Sequence, residues 1–269
     1  MKRTAAVLLV AALVVSLTGC GGGGETSDAA DTFALLVDST QAMTDVGSYR
    51  MSGSIEMDSG TGTGAESQTI SMDIRADVQN GTDGMRQHMF VILGDYEVEA
   101  YIVGGVYYQN LPGQGWMKMS TSAYMSQNMS LGIVDAEQMQ MMAELAKDAQ
   151  VIEENDETIG ISFQLNQEYM QASLDLYRKQ IEEGDEQVSE EWLQMAEEAM
   201  SDFRAEINIW LSKADNLMQR MEMTYSMGGQ SEMGEITSSM QMDFFDYGQD
   251  IAIELPPEAA QAQEFSIEP

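Results

Sequence analysis

The sequence is poor in three kinds of residue: it holds one cysteine, one histidine and 12 lysines and arginines among 269 residues. A single cysteine excludes an intramolecular disulfide, so the fold must rest on its hydrophobic core, which a chain of this length can supply. The lone histidine, His88, sits in a strand pattern with Arg86, Phe90 and Ile92 on the same face. That setting suits a surface or hydrogen-bonded residue better than a general base. The scarcity of positive charge against 45 acidic residues leaves a net charge of −33. Nucleic acid is thereby excluded as a partner, because its phosphates would be repelled. A basic patch for anionic lipid headgroups is excluded for the same reason. The acidic residues are scattered and read as a solvated surface.

Catalytic constellations are missing too. There is no cysteine nucleophile or GxSxG elbow for acyl transfer, and no glycine-rich phosphate loop follows a strand pattern. The acidic cluster of Glu182, Glu183, Asp185, Glu186, Glu190 and Glu191 lacks the alternating ligands of a calcium loop. It reads as a solvated connector between helices. The sequence thus predicts no enzyme, no cofactor and no metal site.

What is present begins at the N-terminus. Lys2 and Arg3 precede an apolar run from Ala5 to Leu17, shorter than the roughly 20 residues that span a bilayer. Leu17-Thr18-Gly19-Cys20 follows, and it resembles the lipobox of bacterial lipoproteins rather than an A-x-A-like cleavage site. The resemblance implies that residues 1–19 are a cleaved signal and that Cys20 carries a diacylglycerol on its sulfur. Two or three acyl chains hold firmly where one holds marginally. The expected location is the extracytoplasmic face of the cell membrane. Gly21, in place of the aspartate that marks inner-membrane retention, also allows an outer membrane where the envelope has one. Residues 20–29 form the lipidated cysteine and a Gly/Ser-rich tether, with a reach of about 30 Å. Two Asn-x-Ser/Thr sequons, at Asn80 and Asn128, are coincidental in such a protein.

Residues 30–269 read as one domain. Asp31 to Thr44 has helical spacing, with Phe33, Leu36, Val37, Thr40 and Met43 recurring. Period-two patterns then predict strands at Met51–Met57, Ile70–Val78, Met85–Leu93, Tyr96–Val103, Val106–Asn110 and Trp116–Ser120, with Asn80-Gly81 as a hairpin signal. A helix capped by Asp135 and carrying Met139, Met142, Ala143 and Ala146 comes next. Strands at Gln150–Glu154 and Thr158–Leu165 lead to two more helices. One bears Met170, Leu174, Tyr177 and Ile181; the other bears Trp192, Met195, Ala196 and Ala199. Strands return at Phe203–Leu211, Leu217–Ser226, Glu232–Phe245 and Gln249–Leu255, where Pro256-Pro257 ends the last. The order indicates an α+β domain. About ten antiparallel strands must curl, so a curled sheet with helices on one face is expected.

The 24 methionines are the chain's compositional signature. Met117 and Met119, Met221 and Met223, and Met240 and Met242 are Met-x-Met pairs on strand patterns, which puts each pair on one face. Ordinary core leads, and a soft lining for an apolar ligand such as an acyl chain is next. A thioether site for Cu(I) is the weakest role, because no free cysteine remains and His88 is the sole histidine.

Three further segments carry a family resemblance. The hairpin YIVGGVYY at Tyr101–Tyr108, followed by Trp116 and Lys118, is one. Ile209-Trp210-Leu211-Ser212-Lys213, with Met221 to Tyr225 behind it, resembles the "WL-[SD]-K" hairpin of the LppX/LprG group and related LolA-like proteins. Phe245-Asp246-Tyr247-Gly248 before Pro256 is similar to their final turn. The resemblance implies a strongly curved antiparallel sheet forming an unclosed β-barrel, with helices on its concave side and an apolar cavity between. It also implies carriage of lipids or lipoproteins. The six paired methionines are the candidate cavity lining, with the membrane and a lipid as expected partners. The alternative is a structural or interaction lipoprotein whose interior is filled by side chains.

Overall fold

The structure, a computed structural model, describes residues 26–59, 68–81, 84–121, 147–169, 171–172, 174–175, 202–227 and 236–264. The signal, Cys20, the first part of the tether, the helix predicted from Asp135 and the acidic cluster lie outside those residues. So does most of the two predicted helices around Tyr177 and Trp192, although residues 167–175, where described, are helical.

Among the described residues one long helix and one sheet make up most of the fold. Helix α1 (Thr26–Asp45) turns Thr32, Leu36 and Ser39 inward at helical spacing, each no more than 3% exposed. The sheet holds β1 (Ser48–Ser59), β2 (Gln68–Gly81), β3 (Gly84–Leu93), β4 (Tyr96–Val103), β5 (Val106–Leu111) and β6 (Gly115–Ser120). It continues with β7 (Lys147–Glu154), β8 (Thr158–Leu165), β9 (Arg204–Ser212), β10 (Met218–Met227), β11 (Ile236–Phe245) and β12 (Gln263–Glu264). Its order, β12-β6-β5-β4-β3-β2-β1-β11-β10-β9-β8-β7, does not close. The molecule is therefore an unclosed half-barrel, as the sequence led us to expect, built of two meanders joined at the β1–β11 pair.

That joint depends on a glycine. A Cβ on Gly53 would sit 1.9 Å from the Gln241 carbonyl and 2.5 Å from the Met242 sulfur. A strand glycine marks such close backbone approach, and here it lets Met242 lie across β1.

Local chemistry explains the turns. In the β9–β10 connection Asn216 takes φ 58°, and the Ser212 amide closes the turn by donating to the Leu217 carbonyl at 2.9 Å. The Asp246–Gly248 turn uses φ 54° and 66°. It is held by Arg50, which pairs with Asp246 at 2.8 Å and Asp77 at 3.0 Å. The hairpin signal at Asn80 has a second use. Its Nδ2 donates to the Met43 and Val46 carbonyls at 3.1 and 2.9 Å, satisfying carbonyls left orphaned at the end of α1.

The C-terminus departs from the sequence reading. Residues 249–255 were expected as a ladder strand, yet they form none. They run extended over the convex face, where Ile251 and Ile253 pack with Tyr101, Val103, Tyr108 and Trp116. An extended segment lying on a sheet shows the same two-residue alternation as a strand within it, because alternation reports burial and not pairing. A short 3-10 turn (Pro257–Gln261) follows. Strand β12 then pairs parallel to β6, an element too short to leave a periodic signal. The described residues thus form a twelve-stranded sheet, in which β12 takes the place of the expected strand at 249–255.

Candidate ligand-binding face

The ladder registers place one parity of every strand on the side covered by α1. Along β1 these are Met51, Gly53, Ile55 and Met57; opposite them on β2 stand Ala76, Ile74, Met72 and Ile70. The same face continues through Met89, Val91 and Leu93 of β3 and Val98, Ala100 and Ile102 of β4. On the other wing it runs through Met240 and Met242, Met221 and Met223, Ile207 and Ile209, and Phe163 and Ile161.

The six sequence-predicted methionines all fall on this face, in two groups. Met221 stands opposite Met242 and Met223 opposite Met240, so four thioethers form a square across β10 and β11. They are 5–8% exposed and share one apolar cluster with Leu36 of α1. Met117 and Met119 lie at the other end of the sheet, on β6. Met119 packs with Tyr107, Ala100, Ile102, Met89 and Ala76, and Met117 is half-buried opposite Gln109.

Burial along this face is uneven. Ile161, Ile207, Ile209 and Leu211 on the β8–β9 side are at most 1% exposed. At the far tips of β2, β3 and β4 the face opens: Ile70 is 41%, Leu93 42% and Tyr96 64% exposed. Register makes those three neighbours, since Leu93 stands opposite both Met72 and Tyr96. They form an apolar rim continuous with half-buried Met72, Val91 and Val98. Sequence patterning had marked these residues only as strand positions, because it does not distinguish a covered stretch of a face from an uncovered one.

Polar groups are few here and were missed in the sequence. Gln87 lies between Val78 and Ile102 in register and is 4% exposed. Its Oε1 accepts no hydrogen bond. Nearby in the ladder, the Tyr107 hydroxyl donates weakly to Gln109 Oε1 at 3.4 Å.

His88 points the other way. On the convex face its ring stacks on Tyr101 at 4.2 Å, and Nε2 meets Glu99 Oε1 at 3.0 Å. The Tyr101 hydroxyl donates to the same oxygen at 2.9 Å. Burial first, and the Glu99 carboxylate second, push that phenol up to about 12. Glu99 is thus already engaged twice, and the C-terminal segment covers one side of the group. Among the described residues no three His, Cys, Asp or Glu side chains gather as a metal set.

A half-barrel whose concave face is apolar and whose convex face is charged is the class of molecule these observations define. The chain belongs to a family of unknown function, DUF6612, which matches residues 32–264. No curated protein matches the sequence. Among solved structures the chain is similar to the Mycobacterium tuberculosis lipoprotein LppX, with 12% identity and a TM-score of 0.48 over 84% of this chain and 99% of that one. It is also similar to a DUF1329 family protein from Desulfovibrio piger, at 11% identity and a TM-score of 0.32 over 85% and 96% of the two chains. A LolA superfamily protein from Nitrosomonas europaea, NE2245, matches at 10% identity and 0.27 over 81% and 94%.

Proposed function

We propose that this protein is a lipid-anchored, extracytoplasmic, non-enzymatic carrier that holds an apolar ligand of lipid type against the concave face of its half-barrel. The observation that carries the reading is the graded face itself. It is apolar across the sheet, sealed on the β8–β11 side, and opens at the rim of Ile70, Leu93 and Tyr96. Ligand sites are concave and mostly apolar, with a few placed polar groups. Methionine walls suit a flexible acyl chain because thioethers are unbranched and polarisable. The lipobox at Cys20 would keep such a carrier at the bilayer from which a lipid comes. Native mass spectrometry of the mature chain, with an acyl-chain fluorophore as probe, tests this. A lipid-sized mass adduct and saturable probe binding are expected; empty protein that ignores the probe would overturn it.

A second reading, a structural lipoprotein with a filled interior, is favoured by the closely packed cluster beneath α1. It predicts that probe binding stays absent even after Leu93→Ala and Tyr96→Ala widen the rim.

The anchor is tested separately. Cys20→Ala is expected to abolish labelling by radioactive lipid precursor; a mutant that still takes up label would remove the lipobox reading.

A further inference from the structure

We infer that Gln87 is the polar recognition point of the concave face, and that the ligand is an acyl lipid whose polar part presents a hydroxyl or amide hydrogen to its carbonyl. The inference rests on the carrier reading and sharpens it from any apolar molecule to a hydrogen-bond-donating one.

A side-chain amide has two donor hydrogens and a carbonyl oxygen with two lone pairs. Taking it from water without a partner costs free energy that natural structures rarely leave uncompensated. Gln87 is 4% exposed, its parity puts it on the concave face, and its ladder neighbours on that face, Val78 and Ile102, are 1% and 3% exposed. Neither neighbour offers a side-chain hydrogen bond. The Oε1 acceptor is unpaired, while the backbone around it is fully engaged in the β2–β3–β4 ladders.

A leucine or methionine at this position would extend the apolar lining at no such cost. Glutamine there favours a bound state in which a donor reaches the carbonyl. The surroundings select the class of donor. No cation lies on this face of β2, β3 or β4, since Arg75, Arg86 and Arg50 have the opposite parity. A carboxylate or phosphate set against Gln87 would therefore be desolvated without a counter-charge, whereas a neutral glycerol hydroxyl or an amide would not. From Gln87 the same parity runs through Met89 and Val91 to Leu93. The six steps from Gln87 to Leu93 span about 20 Å at ~3.3 Å each, enough for a long acyl tail to reach toward the rim.

The test compares two probes of equal chain length on the full mature chain: a monoacylglycerol, which donates hydrogen bonds, and the corresponding fatty-acid methyl ester, which donates none. The wild type is expected to prefer the monoacylglycerol. Gln87→Leu is expected to weaken monoacylglycerol binding about tenfold, the scale of one hydrogen bond, and to leave the methyl ester unchanged. The same variant should melt at a higher temperature without ligand, because it removes an unpaired buried carbonyl. Gln87→Glu, which places an acid at the site, should abolish binding of both. If the wild type binds both probes equally and Gln87→Leu changes neither, the recognition point is wrong while the carrier stands. If neither probe binds any form, the carrier reading itself fails and this inference with it. A Gln87→Leu chain that melts lower than wild type would show the amide to be bonded within the protein and would also overturn the assignment.

Discussion

The two wings of the concave face follow the same sequence rule and end in different states. On β8–β11 the alternating positions Ile161, Ile207, Ile209, Met223 and Met240 are sealed beneath α1, with exposures from 0 to 7%. On β2–β4 an equally regular alternation ends in Ile70, Leu93 and Tyr96, all above 40%. Alternation therefore tells which face is apolar, and what packs over it, including Leu36 of α1, Tyr169 and Phe203, decides how much of it is core. The first wing is buried core, and the second keeps apolar side chains exposed at its tips.

The sharpest test of this division is at the joint between the wings. Gly53→Val forces a side chain into the Gln241 carbonyl and the Met242 thioether. Overpacking of this kind is expected to cost about 3 kcal/mol, read as a lowered urea midpoint. An unchanged midpoint would mean that β1 and β11 are not closely joined.

Truncation of the sealed wing comes next. Leu211→Ala, at 0% exposure, should cost about 2–5 kcal/mol through lost burial and the cavity left behind. Leu93→Ala on the open wing should fall within about 1 kcal/mol of wild type yet weaken acyl-probe binding. Similar destabilisation by both would erase the distinction between core and binding face.

Asn80→Ala removes the two hydrogen bonds that pin the end of α1 to β2. A loss of about 1 kcal/mol is expected, the typical worth of such a bond. Faster hydrogen exchange should be confined to the last turn of α1, and exchange spreading into β2 would contradict a local role.

The smallest effect is alkaline. Burial pushes the Tyr49 phenol up to about 12 and raises Tyr247, which lies 6.0 Å away, in the same direction for the same reason. The fold holds these protons more tightly than the unfolded chain does, whose tyrosines titrate near 10. The contribution is thus whole below about pH 10 and is lost as pH rises toward 12. Tyr49→Phe should flatten that decline in a pH series of thermal melts.

Much of this molecule was legible beforehand. Period-two runs located eleven of the twelve described strands, all but the two-residue β12, because each has one buried and one wet face. The hairpin signal at Asn80-Gly81 marked the end of β2, where Gly81 pairs with Gly84, which takes a positive φ of 105°. The Met-x-Met pairs were recognisable as same-face residues, but their square arrangement was not. It depends on the β10–β11 register, which brings Met221 and Met242 together across chain positions that no local pattern relates. Gln87 shares its parity with Met85, Met89, Val91 and Leu93, a signal that could have placed it on the apolar face, but its burial and unpaired carbonyl came only from the packed structure.

By itself the sequence determined the alternation of apolar and polar faces, the acidity and the methionine-rich composition, because composition and short-range periodicity carry each of these. Tertiary structure alone decided which alternating segment pairs and which merely lies on the sheet, as residues 249–255 do on the convex face. It also decided where the concave face is sealed and where an unpaired carbonyl is enclosed within it. Those outcomes depend on strand register and on the placement of α1, contacts between residues far apart in the chain.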